Sequence, residues 1–240
     1  MKEEKVIWLK NEKHVLVIYP HPDDESFGAA GTITKFRELG VPVTYVCGTL
    51  GEMGRNMGSP IIANRETLPE IRKKELEEAC KELDIGLHLL GYRDKTLEFE
   101  DTQEVAQHIK QVIEEYDASL VITHYPDYGV HPDHNALGLA TIEAVRMMDK
   151  DKRPTVWAAA IEKGFEEKLG QPDIIHDVTD IFDKKIAAIV KHKSQAGGII
   201  ESLAIKQQGE VVARLERLKR EQFFIWKFDH EESQQGVHKE

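Results

Sequence analysis

The chain has 240 residues, 40% hydrophobic and 31% charged, the balance of an ordinary globular protein with a sizeable core. Its formal net charge of −11 argues against nucleic acid as a partner, because phosphate neutralisation requires clustered Lys and Arg. No run approaches the roughly 18 apolar residues of a membrane span, and residues 1–13 lack the apolar core of a signal peptide. A cytoplasmic protein without membrane contact is expected.

Short apolar runs alternate with longer segments of helical period, the pattern of βαβ units around a parallel sheet. Val15–Tyr19 predicts a first strand, apolar throughout as burial on both faces demands. Residues 25–39 predict a helix with Phe27, Ile33 and Phe36 on one side and Gly40 as its stop. Val43–Cys47 predicts a second strand, followed by the glycine-rich stretch 48–58. A helix over 69–83, with Leu76, Ala79 and Leu83 inward, leads to a short third strand over 87–90. Asp101 with Glu104 resembles a capping box and opens a helix through Val105, Ile109, Val112 and Ile113. Residues 120–123 predict a fourth strand, and Pro132 suits the first position of the next helix.

Beyond lie an expected strand over 156–161, helices over 182–193 and 211–219, a closing strand over 223–228 and a frayed polar tail after His230. No repeat, linker or charge block marks a boundary. The expectation is an α/β protein: a single Rossmann-like domain over 1–240, its core spanning 13–228, with a mostly parallel sheet and helices on both faces. Cys47 and Cys80 sit in apolar segments and are expected to be buried free thiols.

Two clusters carry the chemistry. Tyr19-Pro20-His21-Pro22-Asp23-Asp24-Glu25-Ser26 follows the first strand, and His131-Pro132-Asp133-His134 follows the fourth. In the usual doubly wound order those strands adjoin, with the topological switch point between their carboxyl ends, so both clusters converge on one crevice. The first turn would carry G-x-G-x-x-G in a dinucleotide-binding protein; here its acidic side chains would repel a pyrophosphate. Two histidines and one aspartate satisfy a catalytic zinc, which takes three protein ligands and keeps one position open. A second carboxylate can then serve as base, and a remaining histidine can stabilise an oxyanion or protonate a leaving nitrogen. Metal-assisted hydrolysis is the reaction class these residues suit.

The two motifs together resemble the LmbE-like (PIG-L) family of zinc-dependent N-deacetylases, with agreement from about Lys13 to Phe228. The resemblance implies His21, Asp24 and His134 as ligands of one zinc ion, with Fe2+ an alternative in the cell. It further implies Asp23 as general base, His131 as oxyanion stabiliser, and Glu25 as a loop support or helix cap that binds no metal. Gly51 to Gly58 is similar to the family loop that supplies a substrate-binding arginine, here Arg55, although Gly54 and Asn56 replace the threonine and glycine found in many members. His192-Lys193-Ser194-Gln195 resembles a late segment that closes over the site, which makes His192 a pocket candidate, and Tyr128, with Tyr125 and Asp127, is a candidate lining of the sugar pocket.

The form seen here is most similar to the deacetylases of bacillithiol biosynthesis, which act on N-acetylglucosaminyl-malate. The implied partner is therefore a small aminosugar, and the implied assembly a homo-oligomer, trimer or hexamer. Competing readings are an amidase on thiol S-conjugates or another acylated aminosugar, and a non-catalytic carbohydrate-binding protein with a structural metal. His14, His88, His108, His176, His230 and His238 lack partners in sequence and are expected to be structural or exposed.

Overall fold

In the computed structural model, residues 11–198 and 215–228 are described. Their central element is a sheet of seven strands: β1 (Val15–Tyr19), β2 (Val43–Cys47), β3 (Gly86–Leu89), β4 (Leu120–His124), β5 (Thr155–Ala159), β6 (Ile174–Asp177) and β7 (Arg220–Ile225). The order is β3-β2-β1-β4-β5-β7-β6. The first five strands run parallel, and β7 pairs antiparallel with both β5 and β6. β1 and β4 are neighbours, as the switch-point argument required. Every residue of β1, β2 and β4 is buried, which explains their near-continuous apolar sequences.

Helices cover both faces. On one side α1 (Asp24–Gly28), α2 (Ala30–Glu38), α3 (Leu68–Leu83) and α7 (Phe182–Ile189) line a core in which Ile33, Phe36, Leu76 and Ala188 meet Val15, Val17, Tyr45 and Ile122. On the other, α4 (Thr102–Glu115) and α5 (Pro132–Arg146) pack Val105, Ile109, Leu137 and Ala140 against Leu16, Ile18, Val46 and Val121. The alternation of Leu16 and Val17 between faces is the two-residue period of a strand. Asp101 caps α4 by accepting from the amides of Gln103 and Glu104, as its spacing predicted.

Several boundaries depart from expectation. The helix expected over 25–39 is broken at Ala29 (φ −141°, ψ 0°). The cause comes from far along the chain: both carboxylate oxygens of Glu221 accept from the Gly31 and Thr32 amides, at 2.9 and 2.7 Å, and so open α2 as a new helix. Close packing demands Gly31 itself, since a Cβ there would lie 2.3 Å from the Val178 side chain. The helix expected over 182–193 stops at Ile189, and the strand expected over 223–228 runs instead over Arg220–Ile225. The short helix α6 (Phe165–Leu169) and edge strand β6 had no sequence expectation. Of the helix expected over 211–219, residues 215–218 are helical and 211–214 lie outside the described residues, as do His230, His238 and the tail.

Glu221 and Lys185 form an ion pair at 2.6 Å with both side chains 1% exposed. Removing one partner of such a pair leaves a buried charge uncompensated, which costs about 3–5 kcal/mol. Glu221→Ala should therefore lower unfolding stability by about 3–5 kcal/mol in urea titration, and a loss below about 1 kcal/mol would contradict this role.

Candidate metal centre

The carboxyl ends of β1 and β4 bring the two sequence clusters together. His21 Nδ1 lies 3.2 Å from His134 Nε2, Asp24 Oδ2 lies 3.4 Å from His21 Nδ1, and Asp24 Oδ1 lies 3.4 Å from His134 Nε2. The outer nitrogens of both rings are already engaged. His134 Nδ1 bonds the Gly129 carbonyl at 2.7 Å, and His21 Nε2 meets carboxylate oxygens of Asp94 at 3.2 Å and Asp133 at 3.3 Å. Those acceptors assign the ring protons to the outer nitrogens, so two imidazole lone pairs and a carboxylate face one another. Donors attached to a tetrahedral ion at about 2.0–2.1 Å stand about 3.3 Å apart, and the three separations here match that spacing. The residues fit zinc or a similar divalent ion.

A second grouping, His21 with His131 and Asp133, also has ligand atoms within 4.8 Å of one another. It would need His21 Nε2, which the two carboxylates claim, so the first grouping is the coherent donor set. Asp133 and Asp94 act instead as outer supports of a histidine, the arrangement that fixes tautomer and ring orientation at metal sites.

The field at the centre favours positive charge. Burial opposes charging His21, but hydrogen bonds and charge from Asp133, Asp24 and Asp94 push its pKa well above the ordinary value. Burial would raise Asp24, yet His134 and His21 hold it well below the usual carboxylate range. Asp94 is likewise opposed by burial and drawn down to about 2, chiefly by His21 and the Met53 amide.

Asp23 faces the opposite balance. Burial raises its pKa to about 6 with Asp24 adding repulsion, while the Arg72 guanidinium 3.1 Å away limits the rise. Its backbone is left-handed (φ 95°), a conformation that costs on the order of 1–3 kcal/mol in a non-glycine residue. Two contacts hold it there. Glu25 Oε2 accepts the Asp23 amide at 2.9 Å, and Arg72 donates to the Pro22 carbonyl as well as to Asp23.

Glu25 thus supports the loop, as expected, and makes no approach to the three donor atoms. Its other oxygen lies 2.6 Å from His192 Nε2, and both side chains are fully buried. His192 therefore stands behind the metal loop, bonded to Glu25. His131 caps α5: its Nδ1 accepts the Asp133 amide at 3.1 Å, which leaves Nε2 carrying the proton. Burial lowers its pKa, so the ring is a neutral donor.

Arg55 is exposed on the loop between Gly51 and Gly58. Two residues earlier, the Met53 amide donates to Asp94 Oδ2 at 2.7 Å, tying that loop to the carboxylate that also holds His21. Tyr128 is half-buried and meets Tyr125 edge-on, and Tyr125 in turn packs on Phe224 and Trp226. Asp127 is exposed.

Three contributors had escaped the sequence reading: Asp94, Arg72 and His124. His124 stacks flat on His134, with centroids 4.0 Å apart and planes at 4°, and Tyr19 covers its other side. Burial keeps His124 well below its ordinary pKa, so it is a neutral wall behind a ligand. Its place at the end of an apolar strand was a usable signal, whereas Arg72 beside Lys73 and Lys74 reads as solvent-facing helix. The four remaining described histidines have structural partners: His14 with Thr44, His88 with Tyr116, His108 with Tyr92, and His176 with Thr32. Cys47 and Cys80 are free and buried.

Sheet and cluster together are those of a metal-dependent hydrolase. The chain belongs to the PIG-L family: the family model described as GlcNAc-PI de-N-acetylase matches residues 16–145. It is 50% identical over 219 residues to a probable N-acetyl-alpha-D-glucosaminyl L-malate deacetylase 2 of Bacillus cereus, covering 91% of this chain and 100% of that one. It is 31% identical over 195 residues to a diacetylchitobiose deacetylase of Thermococcus kodakarensis, covering 76% and 70%. Among solved structures, the N,N'-diacetylchitobiose deacetylase of Pyrococcus horikoshii superposes with a TM-score of 0.69 at 27% identity, covering 91% and 85%. A 4-carboxy-2-hydroxymuconate hydratase from Pseudomonas putida superposes at 0.66 with 18% identity, over 90% of this chain and 96% of that one, a likeness of fold alone.

Losing an outer partner of a metal-bound histidine typically costs 10–100-fold in metal affinity. Asp94→Asn should thus weaken zinc binding about 10–100-fold in a chelator competition while leaving the circular dichroism spectrum unchanged, and unaltered affinity would contradict Asp94's place behind His21.

Proposed function

We propose that this chain removes the N-acetyl group of N-acetylglucosaminyl-malate, yielding acetate and a free amine. The observation that carries the reading is the convergence of His21 Nδ1, Asp24 and His134 Nε2 with an unligated carboxylate, Asp23, on the adjacent residue. Half-identity to a relative named for that substrate, over the full length of that relative, supports the choice of sugar.

His21, Asp24 and His134 would hold zinc or Fe2+, which when bound supplies Lewis acidity and acidifies water. Asp23 accepts the proton of the attacking water. A carboxylate with a pKa near 6 is ionised at neutral pH yet basic enough to take that proton. Arg72 keeps Asp23 aimed and ionised. His131 donates its Nε2 proton to the developing oxyanion, a role that suits a neutral ring whose other nitrogen is fixed by the Asp133 amide. Arg55 binds the malate carboxylates, which guanidinium grips in bidentate fashion. Tyr128 lines the sugar pocket, and His192 acts from behind Glu25. On family resemblance alone, the reading makes the enzyme a cytoplasmic trimer or hexamer.

The test is turnover of N-acetylglucosaminyl-malate by the zinc-loaded enzyme, followed by primary-amine detection. Asp23→Asn should abolish amine release while retaining a full equivalent of zinc, and His134→Ala should lose the metal. Amine release equal to that of Asp23→Asn would sink the substrate reading, and zinc loss in Asp23→Asn would sink the division of roles. The pH profile follows the sign of the Asp23 shift. Protonation disables the base, so kcat/KM should fall as pH drops through about 6, or lower once a cation at Asp24 stabilises the carboxylate. An acid limb centred well above that value would contradict Asp23 as the base.

A further inference from the structure

The segment after α7 is fastened more firmly than a surface turn requires. Ser194 donates its amide and hydroxyl to the two oxygens of Glu75 at 2.7 and 2.6 Å, with both residues buried. The Ser194 carbonyl accepts the Gly58 amide at 3.1 Å, and His192 is anchored on Glu25. None of these bonds uses the Gln195 side chain. Its amide nitrogen donates to the Asn56 carbonyl at 3.0 Å, on the residue that follows Arg55, and also to Ser194 Oγ at 3.1 Å.

The loop holding Arg55 is pinned at successive points. Arg72 holds the Gly51 carbonyl at 2.8 Å, Asp94 holds the Met53 amide, and Arg65 holds the Gly54 carbonyl at 2.7 Å. Arg55 therefore sits between a carbonyl held by Arg65 and a carbonyl held by Gln195. The loop leaves space for that second grip: a Cβ at Gly54 would come within 3.1 Å of Gln195 Oε1 and 3.2 Å of Arg72. A side chain at position 54 would press on the amide that reaches Asn56.

We propose that Gln195 is a specificity-determining positioning residue, which fixes Arg55 so that its guanidinium meets the carboxylates carried by the substrate's non-sugar part. The proposal rests on the deacetylase reading above and names the residue behind its substrate preference. Because Glu75 holds Ser194 and Glu25 holds His192, loss of the Gln195 side chain frees the Asn56 carbonyl and loosens the loop beside Arg55, which the Gly58 amide still ties to Ser194, and leaves the metal loop in place.

Steady-state kinetics on malate-linked and unlinked N-acetylglucosamine test this. Gln195→Ala should raise KM for the malate-linked sugar about fivefold or more, move kcat less than about twofold, and leave kcat/KM for the unlinked sugar within about twofold of wild type. Gly54→Ala, which crowds the same amide, should change KM in the same direction. In an Arg55→Ala background Gln195→Ala should add nothing, since it acts through Arg55. A merely structural residue would lower both substrates alike and add to Arg55→Ala; either outcome overturns the proposal. A wild-type enzyme without preference for the malate-linked sugar overturns the substrate reading and this proposal together. A preference undiminished in Gln195→Ala overturns this proposal alone.

Discussion

Two hydrogen bonds on the far sides of two imidazoles govern the centre. Because the Gly129 carbonyl takes His134 Nδ1 and the Asp94 and Asp133 carboxylates take His21 Nε2, the neutral rings turn the lone pairs of their opposite nitrogens toward each other at 3.2 Å. Lone pairs at that distance repel unless a positive charge joins them, and Asp24 adds a carboxylate to the same spot, so the site calls for either a proton on His21, whose pKa it raises, or a cation. The fold thus creates an electrostatic deficit that a divalent cation would satisfy. The flat stack of His124 on His134, with Tyr19 tilted against His124, then stops the ring from turning away.

The same loop has to keep Asp23 next to Asp24 without letting it join the metal. Its left-handed backbone directs the side chain elsewhere, and Arg72 is waiting there with one guanidinium on Asp23, on the Pro22 carbonyl and, through its other terminal nitrogen, on the Gly51 carbonyl. Two adjacent aspartates therefore have different surroundings. One is held far below its ordinary pKa by histidines, and the other is raised to about 6 by burial. Environments that push two carboxylates apart in this way mark a division of labour between ligand and base. Arg72 and Glu75, one turn apart on α3, also serve as the common anchor for the metal loop, the glycine-rich loop and the segment after α7.

What was legible in the sequence is what is encoded locally. Val15–Tyr19 and Val43–Cys47 announce themselves through unbroken apolar character, Asp101 through its offset from Glu104, and Pro132 through its place at a helix start. The metal motifs were legible because each lies directly behind such a strand. The break at Ala29 was not, since the carboxylate responsible is Glu221, some 190 positions away. Asp94 and Arg72 were hidden for the same reason. Each acts through contacts to distant loops, and neither belongs to a run or period that would set it apart. β6 escaped because an edge strand pairs on one side only and carries mixed residues such as His176 and Asp177, and the start of β7 was missed because Arg220, Glu221 and Gln222 are polar. His192 entered the sequence reading only as a pocket candidate, because its burial against Glu25 leaves no trace in the sequence around it.

The chemistry of the site turns on which nitrogens hold the metal. A crystal structure of the zinc-loaded enzyme measures this directly. Bonds from His21 Nδ1, His134 Nε2 and Asp24, with His21 Nε2 still on Asp94 and Asp133 and with Asp23 outside the coordination shell, are the result expected here. Zinc on His21 Nε2 with Asp133 and His131 as its partners would contradict it.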